Sequence, residues 1–181
     1  MPTFLPVPNI VLMKLHVLFF LLFFSGIAAG QSTDKFMKVL YRDSVNLYFV
    51  KPLDFKPEDT KAQLEADFTY NDYRYPSARD STVVMNFTLQ SKKPVRELES
   101  VYLGTQHFAI PGEAIELFYI EQQKGKWHSR FSLLLPYTQF RQMLEQGEEM
   151  PVVIEAGKKA HRFTGHKSWA KMSEACSSVL P

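Results

Sequence analysis

"QLEADFTY", residues 63–70, places Leu64, Ala66, Phe68 and Tyr70 on one side and Glu65, Asp67 and Thr69 on the other. Strict alternation over such a stretch is the period of a half-buried β-strand, because successive side chains point to opposite faces of a pleated chain. "VVMNFTLQ", residues 83–90, repeats the pattern, with Val83, Met85, Phe87 and Leu89 opposite Asn86, Thr88 and Gln90. A sheet with one face on a core follows from these two segments.

The same reading extends outward in both directions. "SVNLYFVKP", residues 44–52, is a further strand, predicted to end at Pro52. Residues 114–135, "AIELFYIEQQKGKWHSRFSLLL", read as a hairpin with Lys124-Gly125-Lys126 at its tip. On its second strand Trp127, Ser129, Phe131, Leu133 and Leu135 share a face. Helical spacing first appears after Pro136, with Tyr137, Phe140 and Leu144 and a stop at Gly147. "PVVIEAGKKAHRF", residues 151–163, is a second hairpin turning at Gly157-Lys158. A final helix carries Trp169, Met172, Cys176 and Val179 on one stripe. The sum is a mainly β fold of about seven strands. Its form is an antiparallel β-sandwich or open barrel, with one short helix and a C-terminal amphipathic helix packed on it.

Compartment follows from the other end. "MKLHVLFFLLFFSGIAAGQS", residues 13–32, has a basic start at Lys14, an apolar run from Val17 to Phe24, and small residues from Ser25 to Gly30. Ala28 and Gly30 stand at the spacing that a signal peptidase reads. Residues 1–30 are therefore expected to be a signal peptide, leaving a single β-rich domain over 31–181. The fit improves if translation starts at Met13. An anchor would need about 20 apolar residues and would have to include Lys14 and His16, so no stable transmembrane span is expected after processing. The chain has one cysteine, Cys176, which excludes an internal disulfide. Secreted eukaryotic domains of this size are more often stapled by disulfides, which favours a bacterial periplasmic or extracellular location.

The 21 Lys and Arg against 19 Asp and Glu leave the chain nearly neutral overall, which gives no global electrostatic case for nucleic acid. The sequence carries no hydrolase nucleophile elbow, no zinc-protease signature and no phosphate-binding glycine loop. The nearest ligand pair, His161 and His166, sits among Arg, Lys, Phe and Gly and lacks the third and fourth ligands that zinc needs. No cofactor and no metal is expected. Cys176 lies on the apolar stripe of the last helix, where a thiol behaves as a small hydrophobe. Asn86-Phe87-Thr88 matches a glycosylation sequon, but alternation within a strand explains it.

Two features suit binding. "YNDYRYP", residues 70–76, displays Tyr70, Tyr73 and Tyr75 around Arg74 between two strands; tyrosines on a loop offer flat apolar faces with hydroxyls. Residues 156–173 hold Lys158, Lys159, Arg162, Lys167 and Lys171 and no acid. If hairpin and helix are adjacent, these five make one positive face, either merely solvated or drawn to an anionic partner. The expected function is an exported, non-enzymatic binding or assembly module of the bacterial cell envelope. Its partner would be an anionic glycan, a lipid head group or an envelope protein. The alternatives are a carrier of an apolar small ligand in a β-barrel or sandwich cavity, and a small exported hydrolase.

Overall fold

The computed structural model describes residues 33–73 and 82–180; the segment read as a signal peptide lies outside them. Within the described residues the strands are β1 Met37–Tyr41, β2 Val45–Pro57, β3 Gln63–Tyr73, β4 Thr82–Ser91, β5 Ser100–Leu103, β6 Phe108–Pro111, β7 Ile115–Gln123, β8 Lys126–Pro136, β9 Pro151–Ala156 and β10 Lys159–Thr164. Helix α1 spans Tyr137–Leu144 and helix α2 spans Lys167–Ser177. The strands form a sheet in the order β6-β5-β9-β10-β2-β3-β4-β8-β7, with β1 added to β2. Every pairing is antiparallel, and the sheet curls into a half-barrel.

Register turns the alternation into rows of core side chains. Across β2, β3, β4 and β8 the rows are Tyr48–Tyr70–Val83–Leu135, Val50–Phe68–Met85–Leu133, Leu53–Ala66–Phe87–Phe131 and Phe55–Leu64–Leu89–Ser129. All sixteen of these residues are buried. Directly opposed residues point to the same face, so each row lies across the concave side.

The strand predicted to stop at Pro52 runs on to Pro57. Register between β2 and β3 shifts between Val50 and Leu53, a bulge that places Val50 and Leu53 on the same face although they are three residues apart. Without it, alternation would turn Leu53 and Phe55 outward. Pro52, which has no N–H to give the ladder, sits where none is required.

Glycine closes the opposite corner. Gly112 carries the chain from β6 to β7, and its N–H donates to the Glu99 carbonyl at 2.8 Å. A Cβ there would come within 2.0 Å of the Leu98 carbonyl oxygen. At the hairpin tip, Lys124 and Gly125 take φ of 49° and 77°, the mirror-image turn that suits the twist of two paired strands.

The helices fill the concave side. Trp169 of α2 lies 5.5 Å from Phe55 and 5.7 Å from Phe68, and Phe140 of α1 lies 5.0 Å from Phe68. Met172 and Cys176 follow Trp169 along the buried stripe, and the Cys176 Sγ–H reaches the Met172 sulfur at 3.3 Å. Burial pushes the Cys176 thiol up to about 12. Among the described residues no helix is long and apolar enough to cross a membrane.

Two outcomes follow from this packing. Gly112→Ala is expected to lower unfolding stability by at least about 2 kcal/mol, because backbone must move to admit the methyl. Gly125→Ala, with nothing within 4 Å of its Cβ, should cost about 1 kcal/mol from its left-handed backbone alone. Urea unfolding of both variants measures the difference. Cys176 should label slowly with a thiol reagent in native protein and completely after denaturation, since a protonated, enclosed thiol is a poor nucleophile.

Candidate functional site

Three connections converge at one end of the half-barrel. The β2–β3 turn, the chain leaving β4, and the β9–β10 hairpin meet because Gln63 pairs with Gln90, which sets the start of β3 beside the end of β4. The Glu58 N–H donates to the Arg162 carbonyl at 3.0 Å and ties the third to the first. Between them lies a cleft of about 680 Å³, its floor built from Ala62, Pro94, Val95 and Ala156 and its rim from Lys61, Lys92, Lys93 and Lys159. That volume is in the range of small-molecule sites. The four lysines are exposed, and among the described residues none of them makes an ion pair.

The acid at the cleft is already occupied. Asp59 accepts from the Arg162 guanidinium at 2.8 Å and from the Arg162 backbone N–H at 3.1 Å, and these bonds hold its carboxyl below the usual aspartate range. His161 is the half-buried member. Its Nδ1 lies 2.7 Å from the Thr60 hydroxyl, which accepts the Ala62 N–H at 3.1 Å. Burial, then the charge of Lys159, lowers the His161 pKa, opposed by Asp59. A neutral ring with its proton on Nε2 can accept the Thr60 hydroxyl proton at Nδ1. The site thus offers lysine charge at its rim, an apolar floor, and one imidazole that gains charge only in acid.

Of the basic residues read from the sequence, the structure brings one to this cleft. Lys159 lines it, Lys158 stands beside it in the turn, and Arg162 is turned to Asp59. Lys167 and Lys171 lie elsewhere, on α2. Lys159 opens β10 and Thr164 closes it, so Lys158 and Lys159 are separated from the start of α2 by the length of that strand, roughly 16 Å. The connection to α2 is short, as expected, but it leaves from the far end of the strand, and the single positive face divides in two. Lys61, Lys92 and Lys93 were not singled out by sequence reasoning; the adjacent lysines before Pro94 are the one local sign of them.

The tyrosine segment is strand rather than loop up to Tyr73. Tyr70 is 5% exposed and stacks on Tyr137 at 4.5 Å, with Tyr48 at 6.0 Å. Burial, and then Asp72, raise the Tyr48 hydroxyl pKa. Tyr73 is half-buried opposite Val45. Arg74 and Tyr75 lie outside the described residues.

A second polar group occupies the convex face. Arg130 pairs with Asp67 at 2.5 Å and donates to the Thr88 hydroxyl at 3.0 Å, while the Asn86 amide donates to Asp67 at 3.0 Å. Glu65, opposite Asp54, has its pKa raised by burial and then by that neighbour. Arg130, Asp67, Thr88 and the Asn86 amide nitrogen bond one another across adjacent strands, while the buried Asn86 Oδ1 has no partner among the described residues; none of these side chains lines the cleft. Among the described residues no group of three or more His, Cys, Asp or Glu is placed to hold a metal ion. No protein family, curated protein or solved structure matches the chain.

The lowered His161 pKa has a signed consequence. Neutral His161 contributes stability that is fully present above its ordinary value of 6.5 and is lost as pH falls from there through the lower folded value. Replacing it by glutamine should flatten the decline of stability between pH 7 and pH 5 relative to the parent protein, as read by urea midpoints. An equal decline in both would mean that His161 titrates as it does in the unfolded chain.

Proposed function

We propose that this protein is an exported, non-enzymatic binding module of the bacterial envelope whose cleft at the β9–β10 hairpin takes an anionic group carried on a partly apolar body. The observation that carries this reading is the cleft itself. Four lysines without ion-pair partners among the described residues surround a floor of Ala62, Pro94, Val95 and Ala156. Like charges held together are unfavourable on their own, and an anion relieves them. The apolar floor suits the carbon face of a sugar ring or the glycerol region of a lipid, so an acidic glycan or an anionic lipid head group meets both requirements.

Export rests on the signal-like segment between Lys14 and Gly30. A non-enzymatic role is supported by the chemistry of the cleft: Asp59 is committed to Arg162, and the His161 Nδ1 is held by the Thr60 hydroxyl. The reading as a carrier of an apolar ligand in the barrel has less support, since Trp169 and Phe140 pack into the concave side.

The test uses two probes in low salt: oligogalacturonate as the acidic glycan, and phosphatidylglycerol vesicles against phosphatidylcholine vesicles as the lipid. Binding of one probe is expected, weakening as salt rises because rim charges are screened beyond roughly 8 Å at physiological ionic strength. The combined change Lys92→Glu, Lys93→Glu and Lys159→Glu should reduce affinity by more than about tenfold, the scale of one lost charge-assisted contact. Lys167→Glu with Lys171→Glu should leave it unchanged. Equal loss in both sets would point to net charge, and absence of binding to either probe would remove the cleft as a site.

A further inference from the structure

We propose that the two edges of the β1-β2-β3-β4-β8-β7 sheet recognise each other between copies of this chain, so that the protein assembles head to tail by strand addition. Among the described residues the exposed large hydrophobic side chains lie on these two edge strands and on β8 beside one of them. Leu40 and Tyr41 are on β1, Leu117, Phe118 and Tyr119 on β7, and Leu134 on β8 beside it. Tyr41 is 73% exposed and Phe118 52%. Among the described residues β1 pairs only with β2 and β7 only with β8, so each leaves one row of backbone donors and acceptors open. Such a row is a template for another strand.

Direction allows the match. Each of the six strands is antiparallel to its neighbour, so β1 and β7 run opposite ways. A second copy placed beside the first without inversion then continues the antiparallel sheet. Charge selects this pairing over a two-fold one. β7 carries Glu116 and Glu121 and no base, whereas β1 carries Lys38 and is followed at once by Arg42. Pairing β7 with β7, or β1 with β1, sets like charges against each other, which is destabilising for directly opposed residues.

Register supplies the sharpest constraint. Lys38 opposite Glu121 sets Val39 against Ile120 and Leu40 against Tyr119. Register between β7 and β8 shifts between Leu117 and Tyr119, leaving Phe118 as the extra residue. Carrying the same extra residue into the new pair sets Tyr41 against Leu117 and Arg42 against Glu116. Facing agrees at each position within the strands. Val39, opposite Tyr48, and Ile120, opposite Ser129, both turn to the concave side, as do Tyr41 and Leu117; Lys38, Leu40, Tyr119, Glu121 and Glu116 turn outward, and Arg42, exposed just past the end of β1, follows Tyr41 into the turn. A two-residue slip keeps the facing but loses both ion pairs. Edges are commonly blunted by a bulge; this one is the feature that brings the second ion pair into line.

Sedimentation velocity of the purified protein, over a concentration series at low salt, tests the proposal. The average sedimentation coefficient should rise with concentration without levelling at a dimer, and the rise should shrink at about 1 M salt, where screening acts within roughly 3 Å. Lys38→Glu alone and Glu121→Lys alone should each raise the concentration of half-assembly by about tenfold, the effect of 1.4 kcal/mol. An equimolar mixture of the two variants should restore assembly, since every contact between unlike copies then joins opposite charges. Arg42→Glu and Glu116→Arg form a second pair for the same experiment. A monomer at all concentrations in low salt would overturn the proposal. So would assembly that levels at a dimer and responds to Glu121→Lys but not to Lys38→Glu, which is the signature of β7 pairing with itself.

Discussion

The apolar concave face of the sheet has to be covered, and the indole of Trp169 covers its centre. It touches Phe55 on β2 and Phe68 on β3, while Phe140 from α1 meets Phe68 from the other side. These rings lock the C-terminal helix to strands formed a hundred residues earlier. Losing a side chain of this kind costs about 3–5 kcal/mol, a large part of the 5–15 kcal/mol by which an ordinary domain is stable. The alternation in β3 and β4, the stripe on α2 and the high thiol pKa of Cys176 are all consequences of filling this hollow. The sheet curls around what fills it.

Two backbone features let a sheet this wide curl. The bulge at Lys51-Pro52 resets the phase of β2, so one strand pairs with β1 near its start and with β10 near its end while presenting core residues throughout. Gly112 turns the chain from β6 into β7 against the Leu98 carbonyl, where no other residue fits. Together they set where the connections fall. The β2–β3 turn, the exit from β4 and the β9–β10 hairpin gather at one end because β2 goes on pairing with β3 past the bulge and Gln63 pairs with Gln90, and the lysines are gathered with them.

The fold class could be read from residues 63–70 and 83–90, because a one-sided sheet imposes a period of two, which recurs from Trp127 to Leu135. Both hairpins and the stripe from Trp169 to Cys176 were equally legible. β1, β5 and β6 were not. They are four or five residues long, and too few positions alternate for a period to emerge. Pro52 misled for a definite reason: a proline usually ends a central strand, but a bulge excuses it. The cleft was legible only in fragments. Lys159 stood out within an acid-free run, but its companions Lys61, Lys92 and Lys93 come from distant turns, and only strand register puts them together. Tyr70 fell in both readings, on the apolar side of residues 63–70 and at the start of a loop displaying tyrosines; the first holds, and its ring is stacked on Tyr137, a partner 67 positions away that local sequence does not announce.

β10 joins β2 through two residue pairs only, Phe163 with Pro57 and Thr164 with Lys56, whereas β3 joins β4 through eight. One further backbone bond, from the Glu58 N–H to the Arg162 carbonyl, extends this seam, and side chains cross it where Arg162 meets Asp59 and His161 meets Thr60. The cooperative unit made of β9, β10 and the β5–β6 hairpin is therefore fastened to the rest of the sheet by its thinnest join. Opening there breaks fewer backbone bonds than parting any of the long ladders. The sheet thus has two leaves joined by a short ladder, and amides of β9 and β10 are expected to exchange with solvent through a lower-energy opening than those of β3 and β4. The lysine cleft lies across that join, with Lys61 on one leaf and Lys159 on the other. A ligand bridging them, as proposed for the cleft, would act as a clasp, and its binding energy would appear as slowed exchange in the smaller leaf.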